Sequence, residues 1–378
     1  MYRSLRVRSV GVSDGIEQVI HQFVEAVDRK IEQEEQTKNE RSAVLDAHNY
    51  AQRISLAVTL LLMLRKGNII DFDGAEDPLV RLIGDAEKDV LNPIALLSVC
   101  LPILRPLITW LSRFHTIGIM TKRINSYISS AVDLRQAEKS LDKVLGTKVS
   151  ACDLKSQQGL KHRLIDGLVD AMREGKITED KFMSNAHFLL LVAHETIAAT
   201  ALCILWQLAQ NPEIQDKLRE AITNEGIDAE YVVWCIMETI RWHPAVPLGT
   251  GRIITEDVTT NDGLLIPKGT YVMPSIYSIH HDDSIWPEAD EFIPERWRNQ
   301  YEFHPAAFMG FGLGPRNCVG GKLAVHELKL ILKNILTRYK IDKCEGTPDK
   351  YDFLSPGMLY TVPEVQVKLR FISLKCKV

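Results

Sequence analysis

The chain has 378 residues, of which 46% are hydrophobic and 25% are charged, and its formal net charge is −4. These proportions are those of a folded globular protein, and they exclude disordered, collagen-like and coiled-coil arrays. The small negative charge gives no electrostatic reason to expect a nucleic-acid partner. The seven cysteines are scattered without a CxxC pair, which excludes zinc-ribbon spacing and favours reduced thiols in a protein that faces the cytosol.

Helical periodicity dominates the first two thirds of the chain. Apolar residues spaced three or four apart predict a first helix between about residues 16 and 31, with Ser13 as its N-cap. The first ten residues lack the apolar core of a secretory signal, so none is expected. Ser55–Leu64 is too short for a membrane span of about 20 residues, and Leu91–Trp110 is interrupted by prolines. Both are predicted to be core or interfacial elements.

The longest predicted helix runs from Glu179 to about Gln210. Thr178 is placed to cap it, and Asn211-Pro212 ends it and begins the next helix. At 1.5 Å per residue, this helix would extend about 48 Å. It is apolar nearly all round, which predicts a central position in the fold.

Shorter elements follow. A helix is predicted from about Asp228 to Trp242, and short strands around tight turns are predicted within Arg252–Met273. The glycine-rich segment Gly310–Gly321 precedes another helix, and alternating residues in Val365–Phe371 predict a strand with one buried face. Because no linker divides the chain, the sequence predicts one domain, mainly α with small β-sheets.

The strongest chemical signal is a lone cysteine in the glycine-rich loop. Cys318 lies just before a predicted helix, whose dipole and free N–H groups favour a thiolate. Gly312 and Gly320 let the backbone approach a large flat ligand closely, and Arg316 offers a positive charge to an anionic group. The alternative is a buried structural cysteine in a glycine-rich turn. It is disfavoured because phenylalanine, glycine, arginine and cysteine occupy fixed positions within the ten residues from Phe311 to Gly320.

This pattern resembles the haem loop of the cytochrome P450 family, FxxGxRxCxG, over Phe311–Gly320 without a mismatch. Three more motifs occur in the family's order: Glu238–Arg241 is similar to ExxR, Pro294–Trp297 to PERF/PERW, and Val192–Thr196 to the oxygen-activating AGxET stretch. The resemblance extends from about residue 180 to the end. It implies a cytochrome P450 fold, over residues 1–378, that lacks its N-terminal part.

The resemblance implies a role for each matching residue. Cys318 would be the thiolate ligand of haem b, and Phe311 would pack near its sulfur. Arg316 would meet a haem propionate, and Arg252 is similar to a second propionate-binding arginine of the family. Gly312 and Gly320 belong to the same cofactor-binding loop.

The ExxR and PERW residues are implied to be structural. Glu238 and Arg241 are three apart on a helix and so share a face, and in the family they pair with the arginine of PERF, here Arg296. A buried triad of this kind is tolerated only when it is fully hydrogen-bonded. Taken alone, Glu238 and Arg241 would be read as a surface ion pair contributing about 0.3–0.5 kcal/mol.

Glu195 and Thr196 interrupt an apolar helix and would form the family's catalytic acid–alcohol pair, which delivers protons during oxygen activation. The alternative is that Thr196 bonds back to a carbonyl one turn earlier. The sequence departs from the family with Ala193 in place of the usual glycine, and with Ile197 where many members have a second threonine. Substrate contacts implied by the resemblance are Phe188, Val192, Val246, Leu248 and Met358.

The family implies a monooxygenase that oxidises an apolar organic substrate with O2 and electrons from NADPH through a reductase. It also implies a location on the cytosolic face of the endoplasmic reticulum, although the chain shows no anchor. The motif context is most similar to fungal members with roles in secondary metabolism. An early sheet and a tryptophan/arginine helix of the family have no match, so a truncated chain that binds haem weakly or is catalytically inactive is the alternative.

Other parts of the sequence carry motifs of different protein classes. Gly11–Gly15 matches the GxSxG elbow of serine hydrolases, but only ten residues precede it, too few for the strands and oxyanion loop of that fold. His280–Asp283 could suggest a metal site, yet adjacent loop residues rarely converge on one ion. His194-Glu195 and His326-Glu327 begin like HExxH but lack the second histidine.

Overall fold

The computed structural model describes residues 10–64, 70–73, 165–299, 303–351, 353–354, 362–363 and 367–374. Within these ranges the chain is mainly helical, with four small antiparallel sheets. This confirms the predicted class, mainly α with small β-sheets. The predicted element Leu91–Trp110 and the predicted contact Met358 lie outside the described residues.

The N-terminal elements are helix α1 (Val10–Lys38), strand β1 (Ser42–Asp46) and helix α2 (Ala47–Leu64). The apolar face predicted for the first helix is buried. The prediction of Ser13 as N-cap is wrong, because α1 begins at Val10 and Val12 already packs against the core. Ser13 lies inside the helix, where its Oγ is 2.7 Å from Nε2 of His326.

Four helices form the middle of the described chain: α3 (Asp166–Arg173), α4 (Glu179–Gln210), α5 (Pro212–Glu225) and α6 (Glu230–Trp242). Both predicted boundaries of α4 are confirmed, and the Thr178 side chain caps it by accepting a hydrogen bond from the Lys181 N–H at 3.3 Å. Among the described helices, α4 alone is long and apolar enough to cross a membrane. Most of its apolar stretch is buried inside the protein, as in a core helix.

The predicted strands after α6 are present as two hairpin-like pairs. Strand β2 (Arg252–Ile253) pairs with β5 (Tyr271–Val272), and β3 (Val258–Thr259) pairs with β4 (Leu265–Ile266). They are followed by the short helix α7 (Ile276–His280).

The motif-bearing segment comes next along the chain. A 3₁₀ helix at Pro294–Asn299 carries the PERW residues, and a second at Gly314–Arg316 lies in the glycine-rich loop. Helix α8 (Gly321–Leu336) begins directly after this loop, as the sequence predicted.

The largest described sheet joins the two ends of the chain. Its order is β1–β9–β6, with β6 at Tyr339–Asp342 and β9 at Lys368–Ser373, and a smaller pair joins β7 (Phe353–Leu354) to β8 (Val362–Pro363). The predicted alternation in the last strand is confirmed, because Leu369 and Phe371 are buried. Helices α1, α2, α4, α6 and α8 share the main apolar core, and Phe311 of the glycine-rich loop packs against it.

Candidate functional site

The loop that carries Cys318 is shaped by backbone hydrogen bonds. The Gly312 N–H donates to the Met309 carbonyl at 2.8 Å, and the Cys318 N–H donates to the Phe311 carbonyl at 2.7 Å. Gly312 and Gly314 have φ values of 68° and 72°, a region that residues with a Cβ rarely adopt. Glycine at these two positions therefore lets the chain turn back and present Cys318 at the start of α8.

Cys318 is an exposed free thiol within the described part of the chain. Its Sγ lies near Gly320, where an added Cβ would be 3.9 Å from the sulfur. The Phe311 ring covers Gly321, whose added Cβ would lie 3.1 Å from the ring. Val319 is 98% exposed, so the described residues leave the thiol and an apolar neighbour uncovered at the N-terminus of a 16-residue helix.

The two arginines predicted to bind the haem propionates are exposed. Arg316 ends the short 3₁₀ helix and forms no ion pair with the described residues. Arg252 begins β2 and donates through Nη1 to the Thr250 and Gly251 carbonyls at 3.1 and 2.9 Å. Neither guanidinium meets a carboxylate of the described chain, so both keep donors for an external anion.

The structure brings Glu238, Arg241 and Arg296 into one buried cluster. Arg241 binds the Glu238 carboxylate through Nε at 2.9 Å and Nη2 at 2.8 Å, and Arg296 Nε reaches Oε1 of the same carboxylate at 2.9 Å. The Glu238 and Arg241 side chains are fully buried. This geometry excludes the surface ion pair that the sequence left as the alternative.

Further groups complete the hydrogen bonding of this cluster. Trp297 Nε1 donates to Glu238 Oε2, and the Ile293 N–H donates to Oε1, both at 3.0 Å. The Arg241 Nη1 donates to the carbonyls of His280 and Ala289 at 2.7 and 2.8 Å. Sequence reasoning found the three charges but missed these contacts. The cluster is saturated, which is the condition for holding a buried charge.

The acid–alcohol pair lies where α4 meets α2. The carboxylate of Glu195 is buried and accepts a hydrogen bond from Gln52 Nε2 at 3.0 Å, and the Ser55 hydroxyl donates to the His194 carbonyl at 2.8 Å. Thr196 is half-buried and its Oγ1 donates to the Val192 carbonyl at 3.0 Å. The alternative predicted for Thr196, a bond to a carbonyl one turn earlier, is therefore present. Gln52 is a partner of Glu195 that the sequence does not predict.

The described substrate candidates differ in exposure. Phe188 is 63% exposed on α4, whereas Val192 on the same helix is half-buried. Val246 and Leu248 are half-buried in the segment after α6, where Leu248 forms a bridge with Ser275. These residues supply apolar surface on α4 and on the segment after α6. Their role as substrate contacts stays a prediction.

Gly310, at the start of the loop, is packed so closely that an added methyl group would clash with its neighbours. A Cβ added there would lie 2.3 Å from Ile240 of α6 and 2.6 Å from the Phe308 ring. Because both neighbours are buried, we expect Gly310→Ala to lower the free energy of unfolding by about 1–3 kcal/mol. Gly320→Ala is the control, since its Cβ meets no atom closer than 3.9 Å. Urea unfolding of both variants checks this, and equal midpoints would contradict it.

The structure does not support the serine-hydrolase and metal-site interpretations of the sequence. Gly11–Gly15 lies within α1 and not at a turn from strand to helix, so the serine-hydrolase elbow is wrong here. His280 is buried, and its pKa is lowered to about 3 by desolvation. In the described ranges, no group of three or more His, Cys, Asp or Glu residues could hold a metal ion.

The remaining donor set fits a haem. An exposed thiol suits a soft transition-metal ligand, and two exposed arginines without carboxylate partners suit the anionic edge of a ligand. Exposed apolar Val319 and Phe188 match an apolar macrocycle or substrate better than a hydrated ion.

Comparisons with known proteins agree with this site. Residues 3–369 match the sequence profile described as Cytochrome P450. The chain is 26% identical to cytochrome P450 3A13 of Mus musculus over 326 residues, which are 81% of this chain and 60% of the relative. It is 28% identical to cytochrome P450 3A56 of Fundulus heteroclitus over 319 residues, 79% of this chain and 61% of the relative. It is 31% identical to human cytochrome P450 4F3 over 181 residues, 44% of this chain and 35% of the relative.

The chain thus spans about 60% of the length of the first two relatives. The profile match nevertheless extends over nearly every residue, from the first helix through the cysteine loop to the last strand. The described fold, mainly helical with small sheets, is the one that the motifs implied. This chain belongs to the cytochrome P450 family.

Proposed function

We propose that the protein is a haem-dependent monooxygenase with Cys318 as the thiolate ligand of haem b. The observation that supports this most directly is the exposed thiol at the start of α8, in a loop whose turns require glycine. We also propose that residues 1–378 form one haem-thiolate domain. The buried Glu238–Arg241–Arg296 cluster would support the loop from the opposite side as a structural element.

Different residues of the chain would bind different parts of the haem. Cys318 would bind the iron, and Arg316 and Arg252 would bind the propionates through guanidinium donors that have no carboxylate partner in the described chain. Phe311 and the glycines would exclude water around the sulfur. When bound, haem supplies the activation of dioxygen, and a thiolate ligand favours O–O cleavage.

Glu195 and Thr196 would handle protons for the reaction. The Gln52 amide donates a hydrogen bond to one oxygen of the buried Glu195 carboxylate. This bond restricts the orientation of the carboxylate. The Thr196 hydroxyl uses its proton on the Val192 carbonyl, so its oxygen keeps lone pairs that can accept a proton or a water hydrogen. In this proposal the acid of Glu195 and the alcohol of Thr196, its neighbour in sequence, together deliver protons to the reacting group.

The wider role follows from the family. An NADPH-fed reductase would supply the electrons, and the substrate would be an apolar organic molecule, in keeping with Phe188, Val192, Val246 and Leu248. The proposed location is the cytosolic face of the endoplasmic reticulum membrane. The fungal type and a role in secondary metabolism stay predictions from the sequence.

Carbon monoxide binding tests the proposal directly. The purified protein is loaded with haemin, reduced and exposed to carbon monoxide, and we expect the strongly red-shifted Soret band of a thiolate-ligated haem. A stoichiometric titration with this band would also exclude the alternative that the chain binds haem weakly or not at all. Loaded protein that shows only the band of a histidine-ligated or unligated haem would overturn the proposal.

The role proposed for Thr196 predicts a loss of coupling. In Thr196→Ala we expect intact haem binding, but a larger share of the NADPH consumed should go to peroxide, because proton delivery is misplaced. Thr200→Ala is the matched control, since the Thr200 hydroxyl makes the same kind of backbone bond one turn later, at 2.8 Å to the Thr196 carbonyl. Product formed per NADPH consumed is the measurement. Equal coupling in the two variants would mean that Thr196 is only a helix residue.

A further inference from the structure

We infer that His280 is a positioning residue that fastens the cysteine loop to helix α6. His280 is the last residue of α7, and it lies between the end of α6 and the segment that leads into the loop. The inference deepens the proposed function, because it concerns the placement of Cys318.

The His280 ring bonds to the backbone on both sides. Its Nδ1 lies 3.1 Å from the Arg241 carbonyl, and its Nε2 lies 2.9 Å from the Met309 N–H. The Met309 N–H can only donate, so Nε2 must be the acceptor and the proton resides on Nδ1, which donates to Arg241. One neutral tautomer therefore satisfies both contacts.

The two segments are tied in both directions. Arg241 Nη1 donates to the His280 carbonyl at 2.7 Å, while the His280 ring donates to the Arg241 carbonyl. The buried ion-pair cluster thus fixes the backbone of His280, and the ring of His280 fixes Met309. This chain of contacts connects the ExxR helix to the loop through a single side chain.

The neutral state of the ring is secured by its surroundings. His280 is fully buried, and desolvation lowers its pKa to about 3. The Phe308 ring stacks on it in parallel, with centroids 5.3 Å apart and an angle of 4°. At neutral pH the ring keeps its lone pair on Nε2, so the bond to Met309 is maintained.

Met309 connects His280 to the first turn of the cysteine loop. Its N–H is held by His280, and its carbonyl accepts the Gly312 N–H that closes the first turn of the loop. The next link is the Cys318 N–H bound to the Phe311 carbonyl. Releasing Met309 would loosen both turns and so the position of the Cys318 thiol.

Two amide variants, each of which reproduces the position of one ring nitrogen, separate the two bonds of the ring. In His280→Gln the amide oxygen reaches the position of Nε2 and keeps the Met309 bond, whereas in His280→Asn the amide nitrogen replaces Nδ1 and the Met309 bond is lost. We expect hydrogen exchange at the Met309 amide to be about ten-fold faster in His280→Asn than in the natural protein, and near the natural rate in His280→Gln. His281→Gln is the control, because His281 contacts Tyr277 and not the loop.

The carbon monoxide spectrum gives the second readout. We expect His280→Asn to show a larger fraction of haem without thiolate ligation, and His280→Gln and His281→Gln to resemble the natural protein. Equal Met309 exchange in the Asn and Gln variants would overturn the inference, as would faster exchange in His281→Gln. Exchange is measured on the protein as isolated and requires no haem, so its outcome is distinct from failure of the natural protein to form the thiolate complex.

Discussion

Replacement of Cys318 by serine is expected to eliminate the red-shifted Soret band of the reduced, carbon monoxide-bound protein. That band depends on a thiolate ligand, and a serine hydroxyl is not ionised at neutral pH and cannot replace it. The change replaces one sulfur atom by oxygen at an exposed site, so the fold should be preserved. The measurement is the difference spectrum after loading with haemin, with protein stability followed by urea unfolding.

A second cysteine provides the control for this experiment. Cys344 is a free, half-buried thiol that follows β6, where its sulfur accepts a hydrogen bond from Thr347 at 3.6 Å. Cys344→Ser should keep the band. An unchanged band in Cys318→Ser would remove Cys318 as the ligand, whatever the result for Cys344.

Local rules predicted the part of the fold that depends on neighbours in sequence. The bounds of α4 followed from the Thr178 cap and from proline at position 212, and the start of α8 followed from the glycine-rich loop. The strand at Leu369 and Phe371 followed from alternation. The Ser13 cap failed because serine tolerates a helix interior, where here it bonds to His326 from α8.

The partners that position the site were beyond those rules. Gln52 meets Glu195 across 143 residues of sequence, and His280 meets Met309 across 29. Nothing in the periodicity of either segment marks these side chains, because a polar residue on a helix is usually read as solvated. Glu327 is another case: it is buried on α8, and desolvation raises its pKa well above the ordinary value.

The buried ion-pair cluster is predicted partly by local spacing in the sequence and partly only by the fold. The spacing of Glu238 and Arg241 predicted a shared helix face, but only the fold shows that neither side chain reaches solvent. Burial changes the energetics of the pair. An exposed pair contributes at most about 1 kcal/mol, whereas removal of one partner from a buried pair costs about 3–5 kcal/mol, because the remaining charge loses its compensation.

Arg241→Ala should therefore yield protein with little or no haem and a much lower free energy of unfolding. The loss of about 3–5 kcal/mol is a large share of a total stability of about 5–15 kcal/mol. It has two sources: the buried Glu238 carboxylate loses two donors, and the His280 and Ala289 carbonyls lose Nη1.

Lys217→Ala is the matched control, because Lys217 forms an exposed ion pair with Glu295 of the PERW segment, at 2.9 Å. Its removal should cost no more than about 1 kcal/mol. Urea midpoints and the haem content of both variants are the measurements. Soluble, haem-loaded Arg241→Ala with the midpoint of Lys217→Ala would contradict this prediction. Because a buried carboxylate that loses its partner lowers the stability, an unchanged midpoint would mean that the Glu238–Arg241 pair is exposed to solvent.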